Sequence, residues 1–485
     1  MPLLDKPLIV PWIRLDQDSK SEEALALRRA REPFVAGFCL FGGEADGVRR
    51  LVGRLRDAAG DKPLFVASDM ERGAGQQVRG LRVLPDAGVF GLGGTLDDAR
   101  AFGRLTALDA RSVGVDVLFA PVVDVRSEVR NPIVGNRAFG YDPDRVAALS
   151  IAYVEGAFEG GALPTAKHFP GHGGTLADSH DAIPVVDEPR QRLEDRDLAP
   201  FLQVLDAGCP AVMTAHVAYP AFDATGAIAT FSRPIVDRLF ARGRARTDVA
   251  IFTDALLMAG ALGAGGETEA ARRALRAGCH ALLIPTDPER LAAELLEGSD
   301  DDLDDAVAIG AAALERFGRR AADMETVTST GRAARGDSDD LVPSRVAARA
   351  LAQAGGEALR PLRAGARLAV LDDDGTKDRG LVLERRARAA GAEVSTFRLG
   401  RGVDAPRIPP GPAFDAIVVI SSVRAWKGAA DLSPAGESTL ALLHAKAPSA
   451  DVVRLTPRAG AYGVHVPGAG PDVEAAIADR WFPTD

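Results

Sequence analysis

The densest chemistry in the 485-residue chain is the stretch Lys167-His168-Phe169-Pro170-Gly171-His172-Gly173-Gly174-Thr175-Leu176-Ala177-Asp178-Ser179-His180, which holds three of the seven histidines. The apolar run before it reads as a strand. Pro170 and the three glycines read as a loop whose backbone can approach a ligand or hinge. Lys167 offers three donors and His168 one or two, a set suited to hydroxyl groups. Consecutive strand residues point to opposite faces, unless a twist or bulge aims both at one ligand. Asp178 lies two residues before His180, so its carboxylate can accept from one ring nitrogen and leave the other for proton transfer. A second constellation is Val249-Ala250-Ile251-Phe252-Thr253-Asp254, a buried-strand pattern ending in a carboxylate. Asp254 can attack an anomeric carbon, or cap a following helix. Asp69 with Glu71 and Arg72, and Arg137 in Asn136-Arg137-Ala138-Phe139-Gly140, can hold sugar hydroxyls in bidentate fashion or form ion-paired surface turns. Three His and an Asp also resemble a metal set, but their intervals match no compact zinc spacing and the first apolar run brings no paired histidines. No metal and no cofactor are expected, and His172 has no role beyond loop structure.

These residues need elements to hold them. Eight apolar, β-rich runs recur: Pro7–Leu15, Phe34–Phe41, Pro63–Asp69, Val115–Val125, Leu163–His168, Ala211–His216, Val249–Asp254 and Ala281–Thr286. Stretches of helical period such as Ser21–Arg31 and Asp97–Ser112 separate them. The alternation predicts an α/β fold, a (β/α)8 TIM-type barrel, with polar residues gathered where strands finish: Asp69, Asp124, Lys167-His168, His216, Asp254 and Thr286-Asp287. The domain organisation expected is a barrel over 1–324, a polar linker over 325–343, and a smaller α/β domain over 344–485. Asp300-Asp301-Asp302 reads as an acid-rich helix start after a Ser299 cap, lacking the glycine turn of a calcium loop.

Composition bounds the rest. With 46% hydrophobic residues the chain can bury large cores. Its net charge of −10, with both signs interspersed, favours neither nucleic acid nor an anionic membrane as partner. The N-terminus lacks the layout of a secretory signal and no apolar run approaches membrane-spanning length, so a cytoplasmic location is expected. The three cysteines, Cys39, Cys209 and Cys279, read as buried small hydrophobes.

The stretches Gly37-Phe38-Cys39-Leu40-Phe41, Asn136-Arg137-Ala138-Phe139-Gly140, Lys167-His168-Phe169-Pro170-Gly171-His172-Gly173, Asp178-Ser179-His180 and Phe252-Thr253-Asp254 together resemble glycoside hydrolase family 3, in its β-N-acetylglucosaminidase branch. The resemblance covers about residues 7 to 320. Beyond them it implies the kind of αβα-sandwich domain that many members carry. It implies a nucleophile at Asp254, an acid/base histidine at His180 with Asp178 as partner, and sugar-binding positions at Asp69, Arg137, Lys167 and His168. The implied reaction is a retaining double displacement on a terminal β-linked N-acetylglucosamine of cell-wall or chitin-type oligosaccharides. A neutral imidazole base does not repel an anionic acceptor, so a phosphorylase is a variant of the same reading. A β-glucosidase is another, though most family members of that kind take their acid/base from a Glu outside the barrel. A carbohydrate-binding protein with a dead site is the non-enzyme alternative, disfavoured by the retention of Asp254 and His180. Met70 and Arg72, Ala255, and Cys279-His280 depart from the family pattern and leave every catalytic group in place.

Overall fold

The computed structural model describes residues 6, 8–16, 19–176, 183–240, 243–245, 247–258, 265–297, 300–330, 339–373, 380–399, 408, 413–420, 434–456, 464–466 and 471–483. The chain forms two compact units. The first comprises Met1–Arg82, Ala99–Val125 and Tyr141–Arg335, the second Val83–Asp98, Arg126–Gly140 and Gly336–Asp485.

Every one of the eight apolar runs contains a strand of the first unit. The strands are β1 (Ile9–Val10), β2 (Trp12–Arg14), β3 (Gly37–Phe41), β4 (Phe65–Ser68), β5 (Val117–Leu118), β6 (Leu163–Phe169), β7 (Ala211–Thr214), β8 (Ala250–Phe252) and β9 (Leu282–Leu283). The first run breaks in two at Pro11, which has no N–H to give a ladder. Its halves serve different partners, since β1 pairs with β9 while β2 begins a seven-stranded parallel sheet in the order β2-β3-β4-β5-β6-β7-β8. A parallel bridge from Phe252 to Ala281 links β8 to the segment that enters β9.

One buried cluster draws Val10, Cys39, Phe65, Val117, Leu163, Ala211, Phe252 and Leu283 together. Strands lie about 4.8 Å apart, so a flat sheet of this width keeps its edges too far apart for such a cluster. The sheet is therefore curled, with these side chains inside it. Phe65, Phe119, Phe252 and Phe317 meet edge to face at centroid distances of 5.4 to 6.0 Å, the arrangement ring quadrupoles prefer. Phe317 comes from the helix Asp301–Thr330. That helix runs through 325–330, which were expected as linker, and Asp339–Leu341 already form a 3-10 turn. The helix start is capped by Asp300, whose Oδ1 accepts the Leu303 N–H at 2.9 Å; Ser299 lies outside the described residues.

The helices between strands are explained by their faces and ends. Ala45–Ala59 buries Val48, Leu51, Val52 and Leu55, one stripe of helical period. Pro143–Glu159 starts from Asp142, whose side chain accepts from Asp144 N and Arg145 N, with Pro143 in the first turn where its missing N–H is harmless.

The second unit holds a five-stranded parallel sheet. Its strands are β10 (Arg367–Asp372), β11 (Glu393–Arg398), β12 (Ala416–Ile420), β13 (Asp451–Leu455) and β14 (Val464–Val466), ordered β11-β10-β12-β13-β14. The helices Ala87–Gly93 and Val342–Gln353 pack together in the same unit. Among the described residues no helix is long and apolar enough to cross a membrane.

Candidate active site

Parallel strands that begin on one side of a sheet end together on the other, and here the polar side chains follow the strand ends. Asp69 follows β4, Lys167 and His168 are among the last three residues of β6, His216 follows β7 and Asp254 follows β8. This shared carboxyl-end placement is what turns residues far apart in sequence into one site.

Lys167 is 1% exposed. Its Nζ lies 2.6 Å from Asp69 Oδ1 and 2.6 Å from Glu71 Oε1. A buried ammonium needs such partners, because desolvation disfavours an isolated charge. Asp69 is the more exposed of the two carboxylates, its side chain 29% accessible against 8% for Glu71. Asp69 is thus the one able to face a ligand while Glu71 helps hold the lysine.

His168 is also buried. Its Nδ1 is 2.7 Å from Asp124 Oδ2, and its backbone N–H reaches both Asp124 oxygens at 3.2 Å. The Lys167–His168 peptide is cis, and the register of β6 against β7 shifts between Lys167 and Phe169. A bulge at this strand end was one of the two arrangements that the sequence left open.

His172, for which no role beyond loop structure was expected, is 1% exposed and donates its backbone N–H to Asp124 Oδ1 at 2.6 Å. Burial pushes its imidazole down to about 4, with His168 acting in the same direction and Asp124 and Asp254 opposing. Burial works to raise the Asp124 carboxyl, but His168 and His172 outweigh it and hold it below the usual carboxylate range.

Asp254 is half-buried, and its Oδ1 accepts the Ala255 N–H at 2.8 Å. Residues 255–258 form turns, and the next described helix starts at Gly266, so Asp254 does not cap a helix there. The strand end is braced by His216, whose Nε2 lies 3.1 Å from the Ala255 carbonyl and whose Nδ1 lies 2.9 Å from Thr230 Oγ1. A carbonyl only accepts, so His216 carries its proton on Nε2.

Arg137 lies in the second unit, on the short turn Gly135–Arg137, and its Nη1 donates to the Ile133 carbonyl at 3.3 Å. Asp178 and His180 lie outside the described residues. The structure therefore brings together Asp69, Lys167, His168 and Asp254 on one sheet. Two further groups beside them carried no role in the sequence reading. Asp124 was visible only as a polar strand end. Asp197 sits in the π-helical turn Leu193–Leu198, its Cβ 2.8 Å from where a side chain on Gly171 would begin.

Residues 34–315 match the sequence profile of the glycosyl hydrolase family 3 N terminal domain. A beta-hexosaminidase of Chromobacterium violaceum is 38% identical over 277 residues, which are 55% of this chain and 76% of that one. Over 99% of this chain and 96% of the other, the fold is similar to a glycoside hydrolase family 3 beta-N-acetylglucosaminidase from Paenibacillus sp. str. FPU-7, with a TM-score of 0.76 at 23% identity. A beta-glucoside phosphorylase is similar in fold over 99% of this chain and 92% of that one, with a TM-score of 0.78 at 18% identity. The chain belongs to glycoside hydrolase family 3. It is a glycosidase that hydrolyses glycosyl bonds.

Proposed function

We propose that this glycosidase releases terminal β-linked N-acetylglucosamine from cell-wall or chitin-type oligosaccharides with retention of configuration. The observation that carries the reading is the gathering of Asp69, Lys167, His168 and Asp254 at the carboxyl ends of β4, β6 and β8. The beta-hexosaminidase name of the Chromobacterium violaceum relative supports the sugar. In this reading the curled sheet completes a (β/α)8 barrel through β9 and β1, and the second unit is an αβα sandwich.

Asp254 attacks C1 as the bond to the leaving oxygen breaks, and His180, oriented by Asp178, gives that oxygen its proton. His180 then takes a proton from water, whose oxygen attacks C1 and frees Asp254. Asp69, Lys167 and His168 bind the sugar hydroxyls, and Arg137 is the further sugar-binding position that the family resemblance implies. A phosphorylase is the second reading, supported by the likeness in fold to a beta-glucoside phosphorylase and by an imidazole base that leaves room for an anionic acceptor.

Turnover of aryl N-acetyl-β-glucosaminide and aryl β-glucoside, each with and without phosphate, separates these readings. The expected result is cleavage of the N-acetylglucosaminide, independent of phosphate. Asp254→Asn and His180→Ala are each expected to remove most of the activity while the circular dichroism spectrum stays that of the parent. Near-full activity in either variant overturns the assignment of that residue.

A further inference from the structure

Asp124 is fully buried at the end of the segment that follows β5. Its two oxygens meet three donors, all from the 168–172 stretch: the His168 N–H, the His172 N–H and the His168 ring. An ionised carboxylate only accepts, so the His168 ring must carry a proton on Nδ1. The neighbouring ring obeys the same rule. Thr175 Oγ1 donates to the His172 carbonyl at 3.2 Å and lies 3.0 Å from His172 Nδ1, so the ring donates from Nδ1 to that oxygen. The two rings meet edge to face, with centroids 5.9 Å apart at 78°. One carboxylate thereby sets both the backbone and the tautomer of the strand end that carries the sugar-binding histidine.

We propose that Asp124 is a positioning residue for the glycosidase site, acting through His168: it holds the imidazole in the Nδ1–H form, so that Nε2 meets a sugar hydroxyl as an acceptor, and it pins the His172 amide that continues the loop. The proposal rests on the reading of His168 as a sugar ligand. Neutral imidazole presents a donor on one side and an acceptor on the other, and the partner of the first nitrogen decides the role of the second. Replacing the carboxylate by an amide reverses the choice. The Asp124→Asn side chain keeps an acceptor for the His172 N–H but turns an N–H toward His168 Nδ1, which favours the Nε2–H form and converts an acceptor into a donor.

The test joins nitrogen NMR of the imidazoles with kinetics, on whichever aryl glycoside the parent cleaves. In the ligand-free parent at neutral pH, the resonances absent from His168→Ala are expected to report Nδ1–H with Nε2 unprotonated. In Asp124→Asn they are expected to report the reverse, with kcat/KM lowered at least about tenfold, as for the partners that orient metal-bound histidines. Adding Asp124→Asn to His168→Ala is expected to change kcat/KM by less than about threefold, because the residue acts through the ring that is already gone. A parent ring that carries a proton on Nε2 overturns the proposal whatever Asp124→Asn does. An equal loss from Asp124→Asn with and without His168 also overturns it, by assigning Asp124 a purely architectural role. Parent-like kcat/KM in His168→Ala, with the tautomers as expected, overturns it through the ligand reading of His168 alone.

Discussion

Two buried groups beside the loop root respond to acid in opposite directions. Burial pushes Asp197 up to about 6, against the hydrogen bond and charge of Arg196 and with the charges of Asp124 and Glu188. Through the window from about 4 to 6 the folded protein holds this proton and the unfolded chain does not, so stability falls as pH rises through it and stays lowered above it. His172 behaves oppositely. Its ring takes a proton in the unfolded chain below about 6.5 but in the folded protein only near 4, so stability falls as pH drops from about 6.5 to 4. Asp197→Asn, neutral at every pH, removes the first slope and leaves the second. Each pH unit between folded and unfolded values is worth about 1.4 kcal/mol, so the gain at pH 7 is at most about 3 kcal/mol and is reduced because Arg196 loses one of its two carboxylate partners. It is expected to vanish near pH 4. Urea midpoints at pH 4, 5, 6 and 7 check this, and a gain that does not grow with pH refutes it. Asp197 gave no local signal, since Arg192-Leu193-Glu194-Asp195-Arg196-Asp197 reads as a solvated helix face. Asp69, Lys167, His168 and Asp254 were legible because each interrupts or ends an apolar run.

Elements are set by apolar period and end signals, but their spacing is set by what the contact face leaves out. The helices Leu96–Ser112 and Pro143–Glu159 meet at a reciprocal pair of glycines. A Cβ on Gly103 would lie 2.0 Å from the Tyr153 carbonyl oxygen, and one on Gly156 would lie 1.8 Å from that of Arg100. Phe102 and Tyr153 close the contact edge to face at 5.1 Å. The second helix leads through Gly160 and Gly161 into β6 and so sets the strand that carries Lys167 and His168. Alanine is the better helix former by about 1 kcal/mol, yet Gly156→Ala is expected to destabilise by about 1–3 kcal/mol because the backbones must separate. Once they have, Gly103→Ala meets less resistance, and the double variant is expected to cost less than the sum of the singles. Chemical denaturation of the three variants decides it; a stabilised Gly156→Ala or strict additivity contradicts the close approach. The helical period over Asp97–Ser112 was readable in the sequence, whereas glycines within it registered only as weak helix formers. The same limit hid β14, a Val464-His465-Val466 strand too short to show alternation.

At the scale of the molecule, the chain order conceals which segments fold together. The second unit takes Val83–Asp98 and Arg126–Gly140 from the middle of the first, a long-range choice that periodicity and composition do not encode. Inside that unit Asp98, 1% exposed, is paired with Arg345 and Arg349, and Arg349 Nε also donates to the Gly93 carbonyl at 2.8 Å. Gly93 meets the backbone of Val346 and Ala350, and Gly91 that of Phe139. A chain ending at Arg335 keeps Asp98, loses both arginines and opens the carboxylate to water. It also exposes the face of Ala87–Gly93 that Val342–Gln353 covers. Residues 336–485 alone lack that short helix in turn. Each fragment produced separately is therefore expected to bind ANS and elute as aggregate from a sizing column, while the two produced together are expected to co-purify as a soluble pair. A 1–335 chain that is monomeric, silent to ANS and as heat-stable as the parent would show instead that 83–98 and 126–140 need nothing from the C-terminal sequence, and that the unit is a removable appendage.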